Sequence, residues 1–144
     1  MAQPDFDLRD FTPYLLAVAG EVASLEFAAV YKARYGMTRS EWRVLFHLGR
    51  YGPMTATEIG ARARLHKTKI SRAVRALELK RFVSRETLEE DRRSERLALR
   101  APGRAAYADL GTAAAAFEAR LEARLGAEEA RDLRRMLRRL ADLD

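Results

Sequence analysis

The chain has 144 residues, 48 % of them apolar, with 27 Lys or Arg against 21 Asp or Glu, no cysteine and a formal charge of +6. That length fits one domain, or a small module with an added dimerisation element, and the lack of cysteine excludes structural disulfides, thiolate metal sites and thiol redox switches. The N-terminal stretch MAQPDFDLRD is acidic and unlike a signal peptide, and apolar residues nowhere run unbroken for about 20 positions, so a cytoplasmic protein without a membrane span is expected.

The first predicted element runs from about Asp10 to Tyr35. Phe11, Leu15, Val18, Val22, Leu25 and Ala29 alternate at spacings of three and four, a helical stripe of coiled-coil character. Pro13 is tolerated in the first turn, and Gly36 supplies a left-handed stop. A second helix opens on Thr38-Arg-Ser-Glu41, a capping box, and places Trp42, Leu45, Phe46 and Gly49 on one face before Gly52-Pro53 breaks it. Another capping box, Thr55-Ala-Thr-Glu58, starts a short helix ending near Ala63. Arg64-Leu65 form a turn, and a further helix spans about 67–80 with Ile70, Val74, Leu77 and Ala73 inward. Two short helices about a tight turn, the second basic, predict a helix-turn-helix.

Two strands are expected next, at 81–86 and 96–100, joined by a charged loop over 87–95. Such a hairpin is the wing of a winged helix. Pro102-Gly103 then precede an Ala-rich helix over about 103–125, with Ala106, Leu110, Ala113, Phe117 and Leu121 on one face. Gly126 ends it, and a last helix over 128–143 carries Leu133, Met136, Leu137, Leu140 and Leu143. The expected fold is mainly α with a small β-hairpin: a winged helix-turn-helix over 37–100, bracketed by helical dimerisation regions at 1–36 and 101–144. The terminal stripes are too apolar to face water, and a second copy is the simplest cover.

Charge is concentrated. Residues 62–85 hold nine bases (Arg62, Arg64, Lys67, Lys69, Arg72, Arg75, Lys80, Arg81, Arg85) and one acid, Glu78, a charge of +8. Charge so localised on a helix-turn-helix points to a polyanion, and duplex DNA is the one this motif reads.

The order of elements, and the strings Met37 to Leu48, Thr57-Glu-Ile-Gly60, Lys67 to Glu78 and Asp91-Arg-Arg93-Ser with Leu97-Ala-Leu99 and Gly103 behind it, resemble the MarR family of winged-helix regulators over about 37–103. Arg81 stands where the family usually has Gly, Arg100 where it often has Thr, and His66 occupies an N-cap more often filled by Ser or Asp. The resemblance implies a homodimer on a pseudo-palindromic operator, usually a repressor, commonly released by aromatic acids or phenols.

The residues assign themselves accordingly. Thr68, Lys69, Ser71, Arg72 and Arg75, with Lys67 and His66, offer side chains to base edges or phosphates; otherwise they form a solvated helix face. Thr55 and Thr57 lie at a helix N-terminus that could rest on a phosphate, and Arg62 and Arg64 flank the turn. At the wing tip Arg92 and Arg93 face a choice between a narrow minor groove and ion pairs with nearby acids. The expectation is that Arg93, the position matching the family, inserts, while Asp91 shapes the wing by pairing with the other. Phe11, Tyr14, Leu15, Trp42, Arg43, Phe46 and His47 read either as core and surface or as the walls of an effector cleft. His47 and His66 have no metal-ligand spacing, and no catalytic constellation or cofactor loop is visible. Two rivals stand beside the DNA reading: a helix-turn-helix used for protein contact, and a small-molecule enzyme relying on Arg43, His47 and Tyr14.

Overall fold

A computed structural model describes residues 5–90 and 94–143. The chain divides into two compact units, Met1–Tyr107 and Ala108–Asp144.

In the first unit a 3-10 turn, Leu8–Asp10, leads into α1 (Thr12–Tyr35), which Gly36 closes at φ 63°. α2 (Arg39–Tyr51) and α3 (Ala56–Ala63) each begin at the predicted capping box. The Thr38 hydroxyl accepts the Glu41 amide at 3.3 Å and Glu41 Oε2 accepts the Thr38 amide at 2.9 Å. Thr55 and Glu58 repeat the exchange at 3.2 and 3.1 Å. These starts are legible because a capping box is satisfied entirely within four residues.

Arg64, left-handed at φ 53°, turns the chain from α3 into α4 (Lys67–Leu79). Ile70, Ala73, Val74 and Leu77 are buried as expected, against Val44, Leu45 and Leu48 of α2 and Ile59 and Ala63 of α3 in one continuous core. Arg81 adopts φ 61°, the conformation that a glycine would take more easily. Its amide and that of Phe82 reach back to the Glu78 and Leu77 carbonyls at 2.9 Å each, closing α4 in spite of the side chain.

The wing strands are β2 (Val83–Thr87) and β3 (Glu95–Leu99), each displaced by a residue or two from the predicted limits. A third strand, β1 (Met54–Thr55), escaped the sequence reading. It joins the other edge of β3 to give the antiparallel order β1-β3-β2, with Met54 opposite Leu97 and Val83 opposite Leu99. Met54, Val83 and Leu97 are buried, so the sheet seals one side of the core.

α5 (Ala101–Leu125) starts earlier than expected: Pro102 and Gly103 lie in its first turn rather than ahead of it. Proline fits there because those amides need no intrahelical partner. In the second unit α5 ends before Gly126 at φ 99°, and α6 (Ala127–Leu140) follows, ending three residues before the predicted limit. Arg134 joins the two, bonding Glu118 at 2.9 Å and lying 3.7 Å from Glu122.

Residues 11–22 are all exposed in the single chain, and within α1 only Phe27 and Tyr31 are buried. Leu15, Val18, Val22 and Leu25 are 42–60 % exposed, and Met136 and Leu140 of α6 are also bare. By length and composition α1 is long and apolar enough to cross a membrane, with mean hydropathy 1.4 over its most apolar 18 residues, a property that helices of soluble proteins share and that does not conflict with the expectation of no membrane span. Glu21 and Glu26 fall near its middle, where a charge costs a membrane helix about 3 kcal/mol.

Candidate nucleic-acid interface

The amphipathic pattern of α4 sets the site. With Ile70, Ala73, Val74 and Leu77 buried, Lys67, Thr68, Lys69, Ser71, Arg72 and Arg75 are left exposed on the other side. Among the described residues none of Arg64, Lys67, Lys69, Arg72 and Arg75 pairs with a carboxylate. His66 caps the helix, its Nδ1 accepting the Thr68 amide at 3.3 Å. Thr57 is exposed on the first turn of α3, while the Thr55 hydroxyl is occupied by its cap bond.

A cleft of about 440 Å³ lies between α3, α4 and the sheet, with Thr55, Thr57, Ser71, Arg85 and Glu95 on its rim and Ile70, Val74 and Leu97 at its base. An adjoining recess of about 310 Å³ brings Thr57, Lys67 and Ser71 together with Gly60 and Leu65. The fold therefore gathers Thr55, Thr57, Lys67 and Ser71, which sequence separates by up to 16 positions, into one surface.

Two of the nine bases in the charged stretch are not free. Lys80 Nζ donates to Glu41 Oε1 at 3.0 Å. Arg85 spans two acids, Nε to Glu78 at 2.8 Å and Nη1 to Glu95 at 2.9 Å, and these bonds, Glu95 first, hold its guanidinium above its ordinary pKa. The +8 read from sequence thus overstates the charge offered to a polyanion: Lys80 and Arg85 serve the fold. Glu95 is also engaged by Arg85 and less available to a wing-tip arginine. Asp91, Arg92 and Arg93 lie outside the described residues; the described hairpin closes with the Leu88 amide on the Ser94 carbonyl at 3.2 Å.

The residues expected around an effector cleft divide into two groups. Trp42 stacks on Tyr31, ring centres 5.6 Å apart and 9° from parallel, and meets Phe27 at 5.5 Å and Phe46 at 5.1 Å. Phe46 in turn meets Tyr107 edge-on at 5.1 Å. The Trp42 indole nitrogen is buried with no described acceptor. Burial raises the Tyr31 pKa against the opposing pull of Arg39 and Arg43. His47 turns back on its own helix, Nδ1 donating to the Arg43 carbonyl at 2.6 Å. Phe11, by contrast, pairs with Phe6 at 5.3 Å. Sixteen residues of chain, about 24 Å of helix, separate it from Phe27, and Leu15 is about 18 Å away. Phe11, Tyr14 and Leu15 thus lie far along α1 from Phe27, the residue of that helix that meets Trp42. Phe27, Tyr31 and Tyr107 are the partners that sequence reasoning missed; the i, i+4 spacing of Phe27 and Tyr31 was the available signal.

A family model described as the MarR family matches residues 35–94. No curated protein sequence matches the chain. Among solved structures, a MarR family transcriptional regulator from Silicibacter pomeroyi is 30 % identical, with 96 % of this chain and 98 % of that one covered at TM-score 0.82. The PcaV transcriptional regulator from Streptomyces coelicolor, solved with its natural ligand, is 22 % identical over 99 % of this chain and 98 % of its own, TM-score 0.81. NadR, solved with 4-hydroxyphenylacetate, is 22 % identical over 100 % and 99 %, TM-score 0.76. The last two share the fold. With a 30 % identical relative covered almost end to end, and with the family match spanning α2, α3, α4 and β2, the chain belongs to the MarR family of transcriptional regulators.

Proposed function

We propose that this regulator works as a homodimer, a repressor that reads a pseudo-palindromic operator in duplex DNA and is released by a small aromatic or phenolic ligand. The observation that carries the reading is the division of α4: four apolar side chains in the core, and on the opposite side Lys67, Lys69, Arg72 and Arg75, none tied to a described carboxylate. Unpaired cations on a helix held rigidly from behind are free to meet phosphates and guanine edges. Thr55, Thr57, Arg62, Arg64, His66, Thr68 and Ser71 would add contacts around that helix, and Arg93 would enter the minor groove with Asp91 shaping the wing.

The bare apolar surfaces of α1 and α6 support the dimer, because a chain that leaves Leu15, Val18, Val22, Leu25 and Leu140 in water gains by pairing. In this division 1–36 and 101–144 hold the protomers together and 37–100 reads DNA. Pairing would also supply what one chain lacks, since a second copy could carry its own Phe11, Tyr14 and Leu15 toward the first copy's Trp42. An effector there would meet aromatic walls, Arg43 and the unpaired Trp42 N–H, and a phenol or carboxylate oxygen could accept from that group. A protein acting on DNA in this way would be cytoplasmic.

Selection from a library of random duplexes tests the reading. Enrichment of an inverted repeat with half-sites about one helical turn apart is expected; recovery of no preferred sequence contradicts it.

A further inference from the structure

Tyr51, the last residue of α2, is half exposed and carries two guanidinium groups. The Arg62 carbon of α3 lies 4.3 Å from the ring centre, and that of its neighbour Arg50 lies 5.2 Å away. His47 borders the same ring at 5.9 Å, fixed by its bond to the Arg43 carbonyl. Among the described residues neither Arg50 nor Arg62 pairs with a carboxylate.

A guanidinium resting on an aromatic face keeps its charge and its edge N–H donors, because the contact uses the ring quadrupole and leaves the hydrogen-bonding edge free. An ion pair would consume both. Two like charges gathered on one ring repel each other unless an anion joins them. Arg62 lies two residues before Arg64 and the turn into α4, so the pair is continuous with the cationic surface of the helix-turn-helix.

We propose that Arg50 and Arg62, posted on Tyr51, form a clamp for a DNA backbone phosphate outside the recognition helix, with Tyr51 as the positioning residue. The inference rests on the DNA-binding reading and adds to it a site on the C-terminal end of α2. Because the clamp meets phosphate and no base, it raises affinity for all duplexes alike.

The test is fluorescence anisotropy with the selected duplex and a scrambled duplex over a salt series, using the full-length protein and its Arg50→Ala, Arg62→Ala, Tyr51→Phe, Tyr51→Leu and Tyr51→Leu/Arg62→Ala variants. Each arginine variant is expected to weaken both duplexes by about 3- to 10-fold and to reduce the salt slope by about one. Tyr51→Phe keeps the ring face and should bind within about 2-fold of wild type. Tyr51→Leu should weaken binding, and by less in the Arg62→Ala background, where only Arg50 is left to lose its support. Wild-type binding and salt slope in both arginine variants would overturn the clamp, as would an equal effect of Tyr51→Leu with and without Arg62. Arg72→Ala separates the two levels: if it weakens the selected duplex while the arginine clamp variants do not, the clamp fails and the DNA reading stands; if the wild-type protein binds neither duplex, the reading itself fails. Arg50 and Arg62 are exposed, so their variants remain informative if Tyr51→Leu proves unstable.

Discussion

Lys80 reaches across 39 positions of sequence to Glu41, Nζ to Oε1 at 3.0 Å, and so ties the end of α4 to the first turn of α2. Glu41 is 4 % exposed and does double duty, its other oxygen accepting the Thr38 amide. Helix α4 is therefore anchored at its far end by a charge pair, while its near end is held by the His66 cap.

Burial raises the pKa of Glu41, but the Thr38 hydroxyl, the Thr38 amide and Lys80 together outweigh it and hold the carboxyl below its ordinary value. A depressed folded value means that the stabilisation is complete above the usual carboxylate range, near pH 4.3, and is lost as pH falls through the lowered value. Glu41→Gln is expected to cost about 2 kcal/mol at neutral pH. Its deficit against wild type should shrink in acid, below about pH 4. Urea unfolding at a series of pH values measures both; a deficit that does not change with pH contradicts this role.

Arg85→Ala should separate a folding charge from a DNA-binding one. Its bonds to Glu78 and Glu95 are exposed, so the loss of stability should stay below about 1 kcal/mol. Because Arg85 links α4 to the wing, amide exchange along β2 should quicken, and affinity for the selected duplex should fall with the salt slope unchanged. Arg72→Ala, by comparison, should lower the slope by about one. A slope lowered equally by both would place Arg85 on the DNA.

Gly103 is held by a steric constraint. A Cβ there would stand 2.2 Å from the Phe82 carbonyl oxygen, which itself accepts the Arg100 amide at 2.8 Å. Gly103→Ala must move backbone at the junction of wing and α5, and a cost of about 1–3 kcal/mol is expected by thermal melting. Gly111→Ala, whose added carbon meets nothing within 4 Å, serves as the control and should melt at or slightly above wild type.

Leu25 lies 60 % exposed on the apolar surface of α1. If a second copy covers it, Leu25→Glu should convert the dimer to a monomer in sedimentation velocity, and binding to an inverted repeat should fall to that of a single half-site. An unchanged dimer would show that this surface is not the interface.

The parts of the molecule that local chemistry decides were legible from sequence. Both capping boxes, the left-handed Gly36 and the inward face of α4 follow from residues within a few positions of one another. β1 was not legible, because two residues carry no periodicity and gain strand form only by pairing with β3. Charge counting failed at Lys80 and Arg85 for the same reason: their partners lie up to 39 residues away and only the fold brings them close. Of the aromatic residues grouped from sequence, Trp42 and Phe46 do meet, while Phe11 pairs with Phe6 near the start of α1, a grouping that periodicity along single helices does not reveal. Tyr51 and Arg50 were passed over because a ring and a base side by side in sequence gave no hint that Arg62 would join them.

The central claim is that the exposed cations of α4 read duplex DNA in a sequence-dependent way. The most direct test is the wild-type affinity for the selected inverted repeat and for a scrambled duplex of equal length, measured by anisotropy from low to physiological salt. The account predicts steeply salt-dependent binding to both duplexes, with the repeat bound at least about 1,000-fold more tightly at physiological salt. Equal affinity for the two duplexes, or binding indifferent to salt, would contradict it.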